Sequence, residues 1–445
     1  MQLLSRFVPP QALTALSRLR AAGYQAYLVG GCVRDALRGV APTDFDLTTS
    51  ALPEETEAVF AGERLIETGL RHGTVTVLLE GLPLEITTFR VDGTYSDARR
   101  PDAVRFTPSL TEDLARRDFT VNAMAWSPET GVVDPFGGQA DLAAGLIRCV
   151  GDPERRFTED ALRILRALRF SATLDFALDG PTAEALRRLA PRLEKVSAER
   201  SFSELCKLIC GPGAKRVLLD FPEVLGVPVP EMLPMRGFDQ RNRHHCYDLL
   251  THTAVALAAT PPRVELRLAA WFHDLGKPAV FRLDEHGEGH FLGHPARSAA
   301  MTEEILTRLR ASRALREYVT ELVRLHDRQI EETETAVRRA LSQLGEQLFF
   351  DLLLLKRADN LAQAPEYRDR QRSYDRIEAL ARDINAKDAC LSLRDLAVNG
   401  RDLLDLGYSP GPALGETLQE LLDLVLRGEL PNEKDALLRY AMERK

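Results

Sequence analysis

Strand-like patterning in this chain is confined to about the first 150 of its 445 residues, and helical periodicity runs through the rest. A sheet of any size can therefore form only near the N-terminus. The fold class that follows is α+β, a mixed-sheet head followed by all-helical segments. In the head, Gln25-Ala-Tyr-Leu-Val29 reads as a strand ending in Gly30-Gly31, and Cys32 to Arg38 as the helix it feeds. Thr74–Leu79 and Leu84–Phe89 read as a hairpin around Glu80-Gly-Leu-Pro83. Pro153 to Leu225 turns helical, and a loop rich in proline and glycine, Phe221 to Gly237, separates it from a second helical region. That region, 240–370, carries eight of the nine histidines. A last helical stretch follows Ala389, punctuated by Gly407, Pro410, Gly411 and Pro412. The expected domains are 1–150, 151–230, 240–370 and 371–445.

Composition narrows the class further. Apolar residues at 44% and charged residues at 28% exclude disorder and a small stapled scaffold. No apolar run is long enough to cross a bilayer, so no membrane association is expected. The N-terminal Met-Gln-Leu-Leu-Ser-Arg has no secretory pattern. Six cysteines form no disulfide framework and no Cys-x-x-Cys pair, which makes a reducing cytoplasm the expected compartment. The net charge of −8 argues against nonspecific coating of nucleic acid, yet residues 148–216 hold 14 Lys/Arg against 10 Asp/Glu. A local cationic surface on an acidic protein suits an anionic partner met at one place.

The first chemical constellation is Leu28-Val-Gly-Gly-Cys-Val-Arg-Asp35 followed by Thr43-Asp-Phe-Asp-Leu47. A strand ending in Gly30-Gly31 lets backbone N–H groups approach a phosphate without Cβ interference, and Arg34 stands one turn further on. Asp44 and Asp46 alternate on an extended segment, so both carboxylates point to one face, where they could hold two Mg²⁺ ions. Glu85, on the expected neighbouring strand, is the candidate third carboxylate. Each feature alone is common. Their grouping within 17 residues, with an acidic strand behind, is not.

These residues, with Arg116-Arg-Asp-Phe-Thr-Val-Asn-Ala123, Asp134-Pro-Phe-Gly-Gly138 and Glu159-Asp-Ala-Leu-Arg163, resemble the ordered motifs of class II tRNA nucleotidyltransferases. That family comprises the CCA-adding enzymes and their poly(A) polymerase relatives. The resemblance spans about the first 225 residues and resumes in the tail, Asp395-Leu-Ala-Val-Asn-Gly400 through Leu430-Pro-Asn432. It implies a polymerase-β-like head, a helical neck that recognises the base, and a tail that binds tRNA. It further implies addition of C, C and A to the tRNA 3′ end from CTP and ATP with Mg²⁺, and no obligate protein partner. Residue by residue, Asp44 and Asp46 match the metal pair, with Glu85 in support. Gly30, Gly31 and Arg34 match the triphosphate contacts, Arg117 a further nucleotide-binding arginine, and Asn122 a group near the sugar. Asp160 and Arg163 match the pair that reads the base; Arg166 and Arg169 continue that helix face and could reach phosphate or ribose. Val91–Val104 resembles a flexible loop shared by CCA-adding and A-adding enzymes and shortened in CC-adding ones.

A second constellation, His252, His273-Asp274 and Asp359, resembles the ordered motif of metal-dependent HD phosphohydrolases, with His294 and His326 placed for a second ion. Imidazole and carboxylate ligands suit a transition metal such as Ni²⁺ or Mn²⁺, or Mg²⁺. His244, His245, His286 and His290 read as surface or supporting residues. The smallest family members pass from neck to tail without such a module. The competing readings are an enzyme adding only A or only CC, a poly(A) polymerase, and a hydrolase whose head merely binds RNA.

Overall fold

A strand buried along its whole length, Ala26–Val29 (β1), sits inside a seven-stranded sheet. Its alternation feeds two cores: Ala26 and Leu28 pack with Leu16, Leu19, Phe60 and Ile86, while Tyr27 and Val29 pack with Phe89, Leu110 and Leu114. The computed structural model describes residues 6–69, 73–92, 104–387 and 390–444. The other strands are Asp46–Thr49 (β2), Arg64–Gly69 (β3), Thr74–Leu79 (β4), Leu82–Thr88 (β5), Ala125–Ser127 (β6) and Gly131–Val133 (β7), in the order β3-β4-β5-β2-β1-β6-β7. The sheet is mixed, since β2 and β5 run parallel and the remaining pairs antiparallel. The β4–β5 hairpin is tighter than expected: Leu82 and Pro83 pair with Leu79 and Leu78. The turn shrinks to Glu80-Gly81 because both residues adopt positive φ, 48° and 85°, the twist that fits a two-residue hairpin loop.

Contacts divide the chain into two units, Met1–Leu233 and Pro234–Lys445. In the first, the sheet gives way to helices, among them Gly31–Leu37 (α1) after the Gly-Gly step and Leu162–Leu174 (α2) in the neck. The Pro/Gly-rich stretch is not all loop. Pro222–Leu225 is a short helix and Pro230–Met235 a 3₁₀ turn; Pro222 and Pro230 open these elements, where no N–H is required, and Pro234 lies inside the second. Most of the loop resembling the flexible family element, 93–103, lies outside the described residues; its flanks Arg90–Asp92 and Val104–Phe106 pair as a short ribbon.

The second unit is helical. Its described strands are only Arg282–Leu283 and Gly289–His290. The helices that matter for the site are Leu249–Ala259 (α3), Val264–Phe272 (α4), His294–Arg308 (α5), Arg313–Leu325 (α6) and Glu346–Leu361 (α7). In the tail, Asn432 accepts from the Ala397 amide and donates to the Asp395 carbonyl, each at 2.8 Å, tying together the two ends of the tail motif.

Gly211 shows how closely α2 is held. A Cβ there would lie 2.5 Å from the backbone carbonyl of Ala172. Gly211→Ala is expected to cost about 1–3 kcal/mol through overpacking, read as a lowered thermal midpoint of the N-terminal unit; an unchanged midpoint would contradict this close approach.

Candidate active site and metal centre

The strand register sets the head carboxylates side by side. Asp46 opens β2 opposite Glu85 on the parallel strand β5, and both line a cavity of about 310 Å³ together with Asp44. Burial, then the like charges of Glu85 and Asp44, raise the Asp46 carboxyl above its ordinary value, with Arg117 working against them. Asp44 stands just before the strand, and both it and Asp46 keep exposed surface.

Gly30 takes φ 76°, and a Cβ at that position would meet the Arg117 guanidinium at 3.0 Å, so only glycine leaves both the turn and the arginine in place. Gly31 opens α1, and Arg34 follows within that helix, nearly buried. Arg34 donates to Asp35 at 2.9 and 2.8 Å and to the Asn122 side-chain oxygen at 2.6 Å. Asn122 in turn donates to Asp118 at 3.2 Å, and Asp118 receives Arg166 at 2.8 and 2.5 Å. A chain of polar side chains therefore runs from α2 to α1. Arg117 lies 3.7 Å from the buried Asp113, and burial lowers its pKa.

The neck residues fall on and just before α2. Arg163 bonds Glu159 at 2.8 Å and the Arg116 carbonyl at 3.1 Å. Asp160 accepts from Arg200 at 3.1 Å and from the Leu162 amide at 3.0 Å. Arg169 pairs with Glu204 at 2.7 Å. Of these acid partners Glu159 stands at helical spacing from Arg163, whereas Asp118 and Glu204 lie 48 and 35 positions from Arg166 and Arg169. Asp118, Asp35 and Glu204 were the functional-region residues that sequence reasoning passed over. Asp118 stood in plain view inside Arg116-Arg-Asp-Phe119, but its partner Arg166 is 48 positions away.

In the second unit, His252 on α3, His273-Asp274 after α4 and Asp359 on α7 bring their ligand atoms within 4.8 Å of one another. Asp274, His294 and His326 form a second such group, so all six expected ligands meet around one shared carboxylate. The head trio is not among the described residues' groups of this closeness. The four imidazoles share one device. Each Nδ1 faces a backbone carbonyl (His252 to Ala362, His273 to Ala270, His294 to Phe291, His326 to Val323) at 2.7–3.2 Å. That arrangement turns Nε2 inward, where a deprotonated ring offers a lone pair. His252 Nε2 lies 2.9 Å from Asp359 and His273 Nε2 3.2 Å from Asp274, yet neither nitrogen has hydrogen-bonding geometry to a partner. Buried polar atoms that converge without bonding fit a metal ion, and this donor set suits a transition metal.

Burial pushes His326 down to about 3 and lowers His294, leaving neutral ligands. Burial also opposes charge on His273, but Asp274 and Asp359 outweigh it and raise that ring to about 10. Lys277 holds the Asp274 carboxylate at 2.7 Å. Beside the cluster opens a cavity of about 650 Å³ whose lining includes His244, His245, His290, His294, Asp327 and Arg370. Three histidines read as surface or supporting thus reach the cavity wall, while His286 stays exposed beside Glu285.

Three family models match the chain: the poly A polymerase head domain over 26–148, a probable RNA- and SrmB-binding site of polymerase A over 175–221, and a putative second domain of tRNA nucleotidyltransferase over 294–441. The CCA-adding enzyme of Streptococcus agalactiae is 34% identical over 97% of this chain and 96% of its own length, and that of Streptococcus gordonii is 35% identical over 98% and 97%. The chain belongs to the CCA-adding enzyme family. Among solved structures, the Bacillus stearothermophilus CCA-adding enzyme in complex with CTP covers 98% of both chains with a TM-score of 0.75 and 32% identity. A Thermotoga maritima CCA-adding enzyme complexed with tRNA matches in fold alone, at a TM-score of 0.63 and 19% identity.

Membership of the CCA-adding family makes the chain a nucleotidyltransferase, and its mixed-sheet head with helices behind bears out the α+β expectation. The family implies a divalent cation at the head. Among the described residues no helix is long and apolar enough to cross a membrane.

The Asp118 pairing yields a measurable pH dependence. Burial alone would raise this carboxyl, but Arg166 and then Arg163 and Asn122 bring it down to about 2. A depressed carboxylate contributes stability that is present above its unfolded pKa, near 4, and lost as pH falls toward 2. About 2 kcal/mol is at stake. Denaturant melts between pH 5 and 2 are expected to show this loss in the native protein and a shallower one in Asp118→Asn; identical slopes would refute the pairing.

Proposed function

We propose that this chain adds C, C and A to tRNA 3′ ends from CTP and ATP. The observation that carries this reading is full-length likeness to CCA-adding enzymes joined to three carboxylates lining one cavity in the head. In the reaction, the terminal hydroxyl of tRNA attacks the α-phosphate of the nucleotide, a new phosphodiester forms and pyrophosphate leaves. Asp44 and Asp46, supported by Glu85, would hold two Mg²⁺ ions, which when bound neutralise the triphosphate and favour in-line displacement. The Gly30-Gly31 turn admits the triphosphate, with Arg34 and Arg117 as its cationic contacts and Asn122 beside the sugar. Arg166 and Arg169 extend this surface toward phosphate or ribose.

Selection of C and A over U and G falls to Asp160 and Arg163. A carboxylate accepts from the exocyclic amine that both C and A carry, and a guanidinium donates to ring acceptors. Asp160 leaves capacity for this, since each of its carboxylate oxygens can accept more than one bond. In this scheme 1–150 is the catalytic head, 151–230 the neck, 240–370 an HD module and 371–445 the tRNA-binding tail, all working in the cytoplasm. Full CCA addition is favoured over A-only addition by the names of the relatives, and over CC-only addition by retention of the 91–104 segment.

Labelled extension of tRNAs ending before C74, C75 and A76, each with CTP and ATP separately, tests the reading. Asp44→Ala and Asp46→Ala are expected to abolish incorporation while tRNA retention on a filter stays within about twofold, because RNA affinity rests on basic groups elsewhere. Incorporation by either variant at ordinary Mg²⁺ would refute the metal assignment. Asp160→Ala or Arg163→Ala is expected to erode CTP over UTP preference by about 10- to 100-fold. Equal loss for all four nucleotides would make these residues phosphate contacts instead.

A second activity is favoured by the converging Nε2 atoms of the histidine cluster. His252, His273, Asp274 and Asp359 would hold one ion and Asp274, His294 and His326 another, of Ni²⁺, Mn²⁺ or Mg²⁺, supplying Lewis acidity toward a phosphate ester. Terminal or 2′,3′-cyclic phosphate on a damaged tRNA end is the substrate that would serve the head. Stripped enzyme given each metal is expected to release phosphate from cyclic-phosphate nucleotides, and Asp274→Ala to lose this while keeping C and A addition. Silence with every metal would reduce the cluster to a structural site.

A further inference from the structure

We propose that Phe170 is a positioning residue for nucleotide binding, its ring gathering Arg34, Arg166 and Arg169 onto one aromatic surface. The inference rests on the reading of Arg34 as a triphosphate contact. Three guanidinium carbons lie over this single ring, Arg169 at 3.6 Å, Arg34 at 5.3 Å and Arg166 at 5.5 Å from its centroid. The ring is 6% exposed, and an edge contact to the fully buried Phe119, 5.7 Å between centroids, fixes its tilt. Two elements meet here: Arg34 comes from α1, behind the Gly-Gly turn, and the other two arginines from α2, which also carries Arg163.

Crowding three cations is costly, and each is matched by its own carboxylate: Arg34 by Asp35, Arg166 by Asp118 and Arg169 by Glu204. Those carboxylates take N–H donors in the guanidinium plane. The ring acts differently, attracting the cation through its face and using none of the five donors. Arg34 spends three N–H bonds on Asp35 and Asn122, and stacking on Phe170 leaves the other two for phosphate oxygens. An aliphatic side chain of similar bulk would fill the space without this attraction. A ring serving only as core filler would not need three cations over it.

The test separates the ring's electrostatics from its volume. Phenylalanines bearing one, two and three fluorines, placed at position 170 of the full chain, weaken the π-face stepwise at nearly constant shape. Across the series the KM for CTP and for ATP is expected to rise to about tenfold, with the KM for tRNA, the thermal midpoint and kcat little changed. Phe170→Tyr, which keeps the π-face, is expected to stay within about twofold of the native KM. Arg34→Lys, run in parallel, is expected to raise the nucleotide KM. If Arg34→Lys raises KM and the fluorinated series stays flat, Phe170 is filler and the proposal is overturned. If Arg34→Lys leaves KM unchanged, the triphosphate reading of Arg34 falls, and this proposal falls with it.

Discussion

Asp118 receives two bonds from Arg166 and one from Asn122, and Asn122 receives Arg34, so a single nearly dry carboxylate ties the neck helix to the helix behind the Gly-Gly turn. A buried charge is tolerated only when its partners are in place. The penalty for breaking this pairing therefore falls on any arrangement in which α2 drifts from α1. The phosphate-facing and base-facing candidates sit at opposite ends of that connection, and their separation is held by it. Gly211 pressed against Ala172 holds the C-terminal part of α2 to the turn after the helix Ala198–Ile209.

The second unit solves a comparable problem with backbone rather than side chains. Ring orientation at His252, His273, His294 and His326 is set by main-chain carbonyls of Ala362, Ala270, Phe291 and Val323. Three of these carbonyls lie three residues before the histidine they hold, so the rings are locked by local turn geometry at helix ends. Imidazole direction there is as rigid as the helices that carry it.

Much of this was legible in the chain itself. The Gly-Gly step, the alternating Asp44 and Asp46, and the His-Asp pair at 273–274 are local patterns whose chemistry depends on short spacing, and all fall where that spacing places them. The parallel pairing that sets Asp46 against Glu85 could be anticipated only as a neighbouring strand, because register depends on the twist and core of the whole sheet. Long-range partners were not legible. Nothing near Arg166 announces Asp118, and nothing near Arg169 announces Glu204 35 positions later; such pairs exist because folding brings them together. The hairpin turn at Glu80-Gly81 was overestimated because Pro83 suggests a break, whereas strand pairing accepts a proline that need not donate a ladder bond.

The two oxygens of Asp274 look in different directions. Oδ2 faces His252, His273 and Lys277, while Oδ1 faces His294 and His326. A carboxylate divided in this way makes its two sides interdependent. Charge drawn toward one oxygen is charge withdrawn from the other, and the ammonium of Lys277 already competes for the first. Two cations held here as proposed would share this one carboxylate, so that binding on the His252–His273 side would alter affinity on the His294–His326 side.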